Sequence, residues 1–172
     1  YKEANQWVNK HGIHLATVTT RRGTHDNQDP RLNTLSKHNC ITACLEAARV
    51  GADEGIMLDV DGNVSTCNST NFFIVKNGEV WTSTGEFCLP GVTREVVINL
   101  CKENNLPIFM KDFQIMDVHS ADEAFVTGTF AGIIPAVEID GQAMSNGKRG
   151  KITHMLQILY KEKLTDLYPE KD

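Results

Sequence analysis

No stretch of this chain approaches the roughly 20 apolar residues needed to span a bilayer, and no apolar core of a secretory signal opens it. No two cysteines stand in a C-x-x-C pair, and the six histidines show neither H-E-x-x-H nor zinc-finger spacing, so no metal centre is expected. The five cysteines, an odd number, point to reduced thiols and a cytoplasmic setting. There is no basic stripe. The net charge is −5 and the pI is near 5.7, so no nucleic-acid partner is expected. The densest positive run, Lys148-Arg149-Gly150-Lys151, reads as a solvated helix entry. The chain starts at Tyr1 without a methionine, which reads as the interior of a longer protein.

What is present suits one globular domain over 1–172, with 41% hydrophobic and 23% charged residues. A short helix over 1–11 is closed by Gly12, and Ile13 to Thr20 alternates as a strand. From Ser36 to Val50 the apolar positions Cys40, Ile41, Cys44, Leu45 and Ala48 recur at helical spacing. Glu54 to Val60 and Asn63 to Cys67 flank Asp61-Gly62, and Asn71 to Lys76 and Glu79 to Thr82 flank Asn77-Gly78. Two hairpin turns so close together predict an antiparallel meander. A helix from Thr93 to Glu103, strands near Ile108 and over Glu123–Thr127 and Ile133–Ile139, and an amphipathic helix from Gly150 to Leu167 complete the order. The pattern predicts an α+β fold: a mostly antiparallel, barrel-like sheet with flanking helices.

The most informative stretch is Leu89-Pro90-Gly91-Val92-Thr93-Arg94, immediately followed by a helical pattern. A Pro-Gly turn entering a helix leaves the first N–H groups unpartnered, and the helix dipole adds positive charge there. With the Thr93 hydroxyl, this suits a phosphate. Alone, the motif is equally an ordinary helix entry.

It does not stand alone. Glu46-Ala47, Gly51-Ala52-Asp53-Glu54, Leu58-Asp59, Gly62 and Asn71-Phe72-Phe73-Ile74-Val75 precede it. Ala121-Asp122-Glu123-Ala124-Phe125-Val126-Thr127-Gly128-Thr129 and Pro135 follow. In this order the blocks resemble the class-IV (fold-type IV) pyridoxal-phosphate enzymes: branched-chain and D-amino-acid aminotransferases and aminodeoxychorismate lyase. The resemblance runs from about Ile13 to Leu159 and covers the family's large C-terminal domain, whose small N-terminal partner would precede Tyr1. It implies pyridoxal phosphate as cofactor, an amino acid and a 2-oxo acid as partners, and a homodimer. It assigns the phosphate to Gly91, Val92 and Thr93, with Thr129 from the far side, and the substrate carboxylate to backbone N–H groups at Phe130 and Ala131. Thr129 also reads simply as a turn residue.

Two positions depart from the family pattern. The lysine that binds the cofactor aldehyde falls, by ungapped spacing back from Glu46-Ala47, on Asn33. Lys37 is the nearest lysine, and re-registering the loop would let it serve; its other reading is a solvated first-turn residue. The glutamate that keeps the ring nitrogen protonated is replaced by Thr66. These changes leave two readings open. One is an aminotransferase using Lys37; the other is a catalytically inactive homologue, its cofactor retained or lost, that keeps the fold as a binding or scaffolding module.

Overall fold

The computed structural model describes residues 6–130 and 132–167. In chain order the elements are α1 (Gln6–His11), β1 (Ile13–Thr17), α2 (His38–Arg49), β2 (Glu54–Leu58), β3 (Val64–Cys67), β4 (Asn71–Lys76) and β5 (Glu79–Thr82). They continue with α3 (Val92–Glu103), β6 (Ile108–Met110), α4 (Ile115–His119), β7 (Glu123–Gly128), β8 (Gly132–Ile139), β9 (Gln142–Ala143) and α5 (Lys151–Leu167). The strands form one sheet in the order β3-β2-β1-β8-β7-β4-β5-β6, with β9 added to β8. The sheet curls until its ends approach: the Val64 N–H of β3 donates to the Phe113 carbonyl beyond β6 at 2.8 Å. The result is a mixed half-barrel with helices on its outer face. β1 runs parallel to both β2 and β8, and β5 parallel to β6; the other pairings are antiparallel.

Both predicted hairpins form, but not as a meander. β2–β3 and β4–β5 lie in different halves of the sheet, separated by β1, β8 and β7. The reason is the chain between them: Asn68, Ser69 and Thr70 spend their polar groups on Gly55 and Glu54 of β2, and β4 pairs with β7 instead.

Strand alternation sorts the core into layers. Phe72 and Ile74 of β4, Ala124 and Val126 of β7, and Ile56 and Leu58 of β2 fill the barrel interior. Their neighbours Phe73, Val75 and Phe125 point outward onto Val97, Ile98 and Cys101 of α3 and Leu156 of α5. Phe73 and Phe125 stack with centroids 4.8 Å apart. Burial holds the Cys101 thiol up at about 12, so it acts as a small core hydrophobe.

The α2 face differs from the expected stripe. Ala43 and Ala47 are buried, Cys40 and Cys44 are half-buried, and Ile41 and Leu45 are exposed. The two alanines let the helix backbone lie directly on β2. A Cβ at Gly55 would come 3.0 Å from the Ala43 carbonyl and 2.7 Å from Val18, so only small residues fit this crossing. β1 ends at Thr17, short of the expected Thr20, because Thr19 and Thr20 turn their N–H and hydroxyl groups to the Glu46 carboxylate of α2. Short α4, with its Gln114/Asp117 capping box, and two-residue β9 had no readable periodicity.

Candidate functional site

The N-terminus of α3 is built by a fixed turn. Gly91 caps the helix without a side-chain bond, and the first intrahelical acceptor is its carbonyl, bonded by Glu95 N–H at 3.0 Å. The N–H groups of Val92, Thr93 and Arg94 therefore have no helical partner. The turn is held from the sheet by Asn71, whose Nδ2 donates to the Leu89 carbonyl at 3.0 Å, and Gly91 N–H donates to the same carbonyl at 2.8 Å. A Cβ on Gly91 would overlap Asn71 Oδ1, so the glycine is required by space. Thr93 is buried and Val92 is 77% exposed, so the Val92 contribution is confined to its backbone.

The second block reaches the same place through β7. Asn71 and Thr127 face each other across the β4–β7 ladder, and Gly128 lies against the Thr70 methyl. Thr129 and Phe130 follow in the turn to β8, both exposed. Ala131 lies outside the described residues. The structure thus brings Gly91 and Thr127 to Asn71, with Val92 and Thr93 following Gly91 and with Gly128 and Thr129 following Thr127 along the chain.

A cavity of about 350 Å³ adjoins this corner. Its walls are the loop from Arg22 to Asn39, the first turn of α2 with Lys37 and Cys40, the strand end and turn from Thr66 to Asn71, and Leu89. Lys37 and Thr66 therefore both line this cavity. Lys37 immediately precedes α2, and its Nζ donates to Asn33 Oδ1 at 2.8 Å. Thr66 is buried in β3 and donates its hydroxyl proton to the Thr70 carbonyl at 2.7 Å.

Three wall-building residues had not been expected. Arg22 sends Nε to the Phe87 carbonyl (3.0 Å), Nη2 to the Pro30 carbonyl (3.2 Å) and Nη1 to Cys40 Sγ (3.1 Å), joining three segments of the wall. Glu54 accepts the hydroxyls of Ser69 (2.6 Å) and Thr70 (2.7 Å) behind the Thr66 turn. Burial raises its pKa, partly offset by those two hydroxyls. Asn71 is the third. Glu54 and Asn71 stand in the motif blocks of the sequence, Asn71 as the first residue of the apolar block Asn71 to Val75, but neither contact was readable there.

The donors fit pyridoxal phosphate at two of its three ends. Free α3 N–H groups, the Thr93 hydroxyl and the partnerless buried hydroxyl of Thr127 suit its phosphate, and the Lys37 amine suits its aldehyde. At the ring-nitrogen position Thr66 offers only oxygen lone pairs, its proton being committed to Thr70.

A curled mixed sheet half-barrel with flanking helices is the fold of the fold-type IV aminotransferases that this chain superposes on. The branched-chain aminotransferase of Thermobaculum terrenum in its pyridoxal-phosphate form superposes with a TM-score of 0.90 at 28% identity, covering 95% of this chain and 54% of that one. The amino-transferase class IV family model matches residues 2–139, and the chain belongs to that family. It is 41% identical over 158 residues to branched-chain-amino-acid aminotransferase-like protein 2 of Arabidopsis thaliana, covering 92% of this chain and 28% of the relative. It is 38% identical over 152 residues to the putative branched-chain-amino-acid aminotransferase of Methanocaldococcus jannaschii, covering 88% and 53%. The chain thus spans about half or less of the relatives it matches.

Proposed function

We propose that this chain is the cofactor-binding domain of a pyridoxal-phosphate-dependent aminotransferase that exchanges the amino group of a branched-chain or other small amino acid with a 2-oxo acid. The observation that carries the reading is the Lys37 amine. It stands 2.8 Å from Asn33, the residue at the family's lysine position, in one cavity with Thr66. That contact supports the reading in which a lysine four residues later serves in place of the one that sequence register puts at Asn33.

In this reading the N–H groups of Val92 and Thr93 and the hydroxyls of Thr93 and Thr129 hold the phosphate, strengthened by the α3 dipole. Backbone groups at Phe130 and Ala131 orient the substrate carboxylate. When bound, the cofactor supplies an aldehyde for amine exchange and an electron-withdrawing ring. Lys37 Nζ would hold the aldehyde end of the cofactor and would carry the substrate's Cα proton. Thr66 leaves the ring nitrogen without a counter-charge, which favours slow turnover. Asn33 and Thr66 also favour a second reading: a family member that keeps the fold and phosphate corner without the chemistry.

Borohydride treatment of the full-length protein with pyridoxal phosphate separates the two. The first reading expects a near-visible absorbance and a tag on the Lys37 peptide, both lost in Lys37→Ala with the fold intact, since an exposed lysine adds little stability. If parent and variant behave alike and neither is tagged, the second reading stands. Asn33→Lys with Thr66→Glu should then restore the tag. A tag that survives Lys37→Ala would refute both.

A further inference from the structure

Four buried side-chain atoms have no hydrogen-bond partner among the described residues: Asn9 Oδ1, Arg94 Nε, His119 Nδ1 and Thr127 Oγ1. Thr127 is the most enclosed of these residues, at 2% exposure. A hydroxyl in that state costs folding free energy with no return from the protein itself. Its place is fixed by register. On β7, Phe125 and Thr127 point to one face, and Phe125 packs against Val97, Ile98 and Cys101 of α3. Phe125 is opposite Phe73, and Thr127 is opposite Asn71, the residue against which Gly91 at the start of α3 is packed. Thr127 therefore stands on the α3-facing side of the sheet, beside the residue that holds the start of α3.

Two charged side chains stand in the first turn of α3: Glu95, which is exposed, and Arg94, which is buried. Arg94, in the same first turn, is buried with a single bond, Nη2 to the Ser83 carbonyl at 2.7 Å, and forms no ion pair with a carboxylate among the described residues. Its guanidinium adds an unneutralised positive charge to that of the helix N-terminus.

We propose that Thr127 is a further binding residue for the phosphate seated on α3, donating its hydroxyl from the sheet side while Thr93 and the backbone donate from the helix side. This rests on reading the α3 N-terminus as the phosphate seat. Among the described residues nothing uses the Thr127 proton; a phosphate oxygen would. The hydroxyl is then a binding group whose cost in the free protein is recovered when the anion arrives.

The test titrates inorganic phosphate and pyridoxal phosphate separately into the full-length protein by calorimetry, and measures heat unfolding without either. Thr127→Val, which keeps the shape and removes the hydroxyl, should weaken both ligands about tenfold and raise the ligand-free melting temperature by about 2–4 °C. Thr127→Ser should bind both like the parent. A Thr127→Val protein that melts lower and binds both ligands normally overturns the proposal, because the hydroxyl is then structural. Weakening of pyridoxal phosphate alone also overturns it, since the contact is then not to phosphate. Thr93→Val separates this inference from the reading beneath it. If Thr93→Val binds weakly while Thr127→Val matches the parent, the seat stands and the Thr127 proposal falls. If the parent binds neither probe, the seat itself is wrong and both fall.

Discussion

At Gly91 one methyl group decides whether the corner forms. Its φ of −66° is open to any residue, so backbone strain plays no part. The obstacle is Asn71 Oδ1, which occupies the place of a Cβ while Nδ2 of the same amide holds Leu89. Gly91→Ala should push the amide away and release the turn. We expect a loss of about 1–3 kcal/mol in urea unfolding, typical of overpacking, together with weaker phosphate binding. An alanine variant with parental stability and affinity would mean that the turn relaxes freely. The helix entry from Leu89 to Arg94 was legible because its chemistry is local: a turn, a cap and a hydroxyl within six residues. Asn71, Arg22 and Thr127 were not. Asn71 acts on a carbonyl 18 positions away and Arg22 on one 65 away, and a partnerless hydroxyl exists only once the chain has buried it.

Among the elements, α2 shows most clearly where periodicity stops being informative. The larger apolar side chains Ile41 and Leu45 suggested the buried face, yet the helix turns its alanines to the sheet because Gly55 permits backbone contact there. Strands were easier to read, since alternation in β4 and β7 assigns each residue to the interior or the α3 side directly. The helix is clamped by Glu46, whose carboxyl is lowered to about 2, first by the Thr20 hydroxyl, then by Thr19 through its hydroxyl and N–H. A depressed carboxyl stabilises the folded chain above its unfolded value of 4.5, and that contribution fades as pH falls toward 2. Acid unfolding should therefore steepen in that window. Glu46→Gln should be slightly less stable at neutral pH and flatter below 4.5. The solvent-accessible setting keeps the effect small, so equal pH profiles in parent and variant would remove the clamp from the account.

For the whole molecule, fold class followed from the order of elements, but strand order did not, because sequence adjacency favours a meander and the observed sheet places distant segments side by side. On the same scale, exposed apolar residues, among them Leu32 on the cavity wall and Leu35, Ile41 and Leu45, accord with the homodimer that we expect of a class IV aminotransferase. Sedimentation of the full-length protein at high micromolar concentration should show a dimer; a strict monomer would count against that assembly. The parallel strand β1 carries a different implication. Its neighbours are β2 and β8, and Thr17 at its end bonds to Asp140, 123 residues later. On a ribosome, β1 emerges well before β8 and waits with one edge unpaired until β8 has been synthesised. Such long-range closure makes folding slow and late. The proposed phosphate corner depends on β7, which must itself pair with β8, so that corner is completed only after β8 has been synthesised.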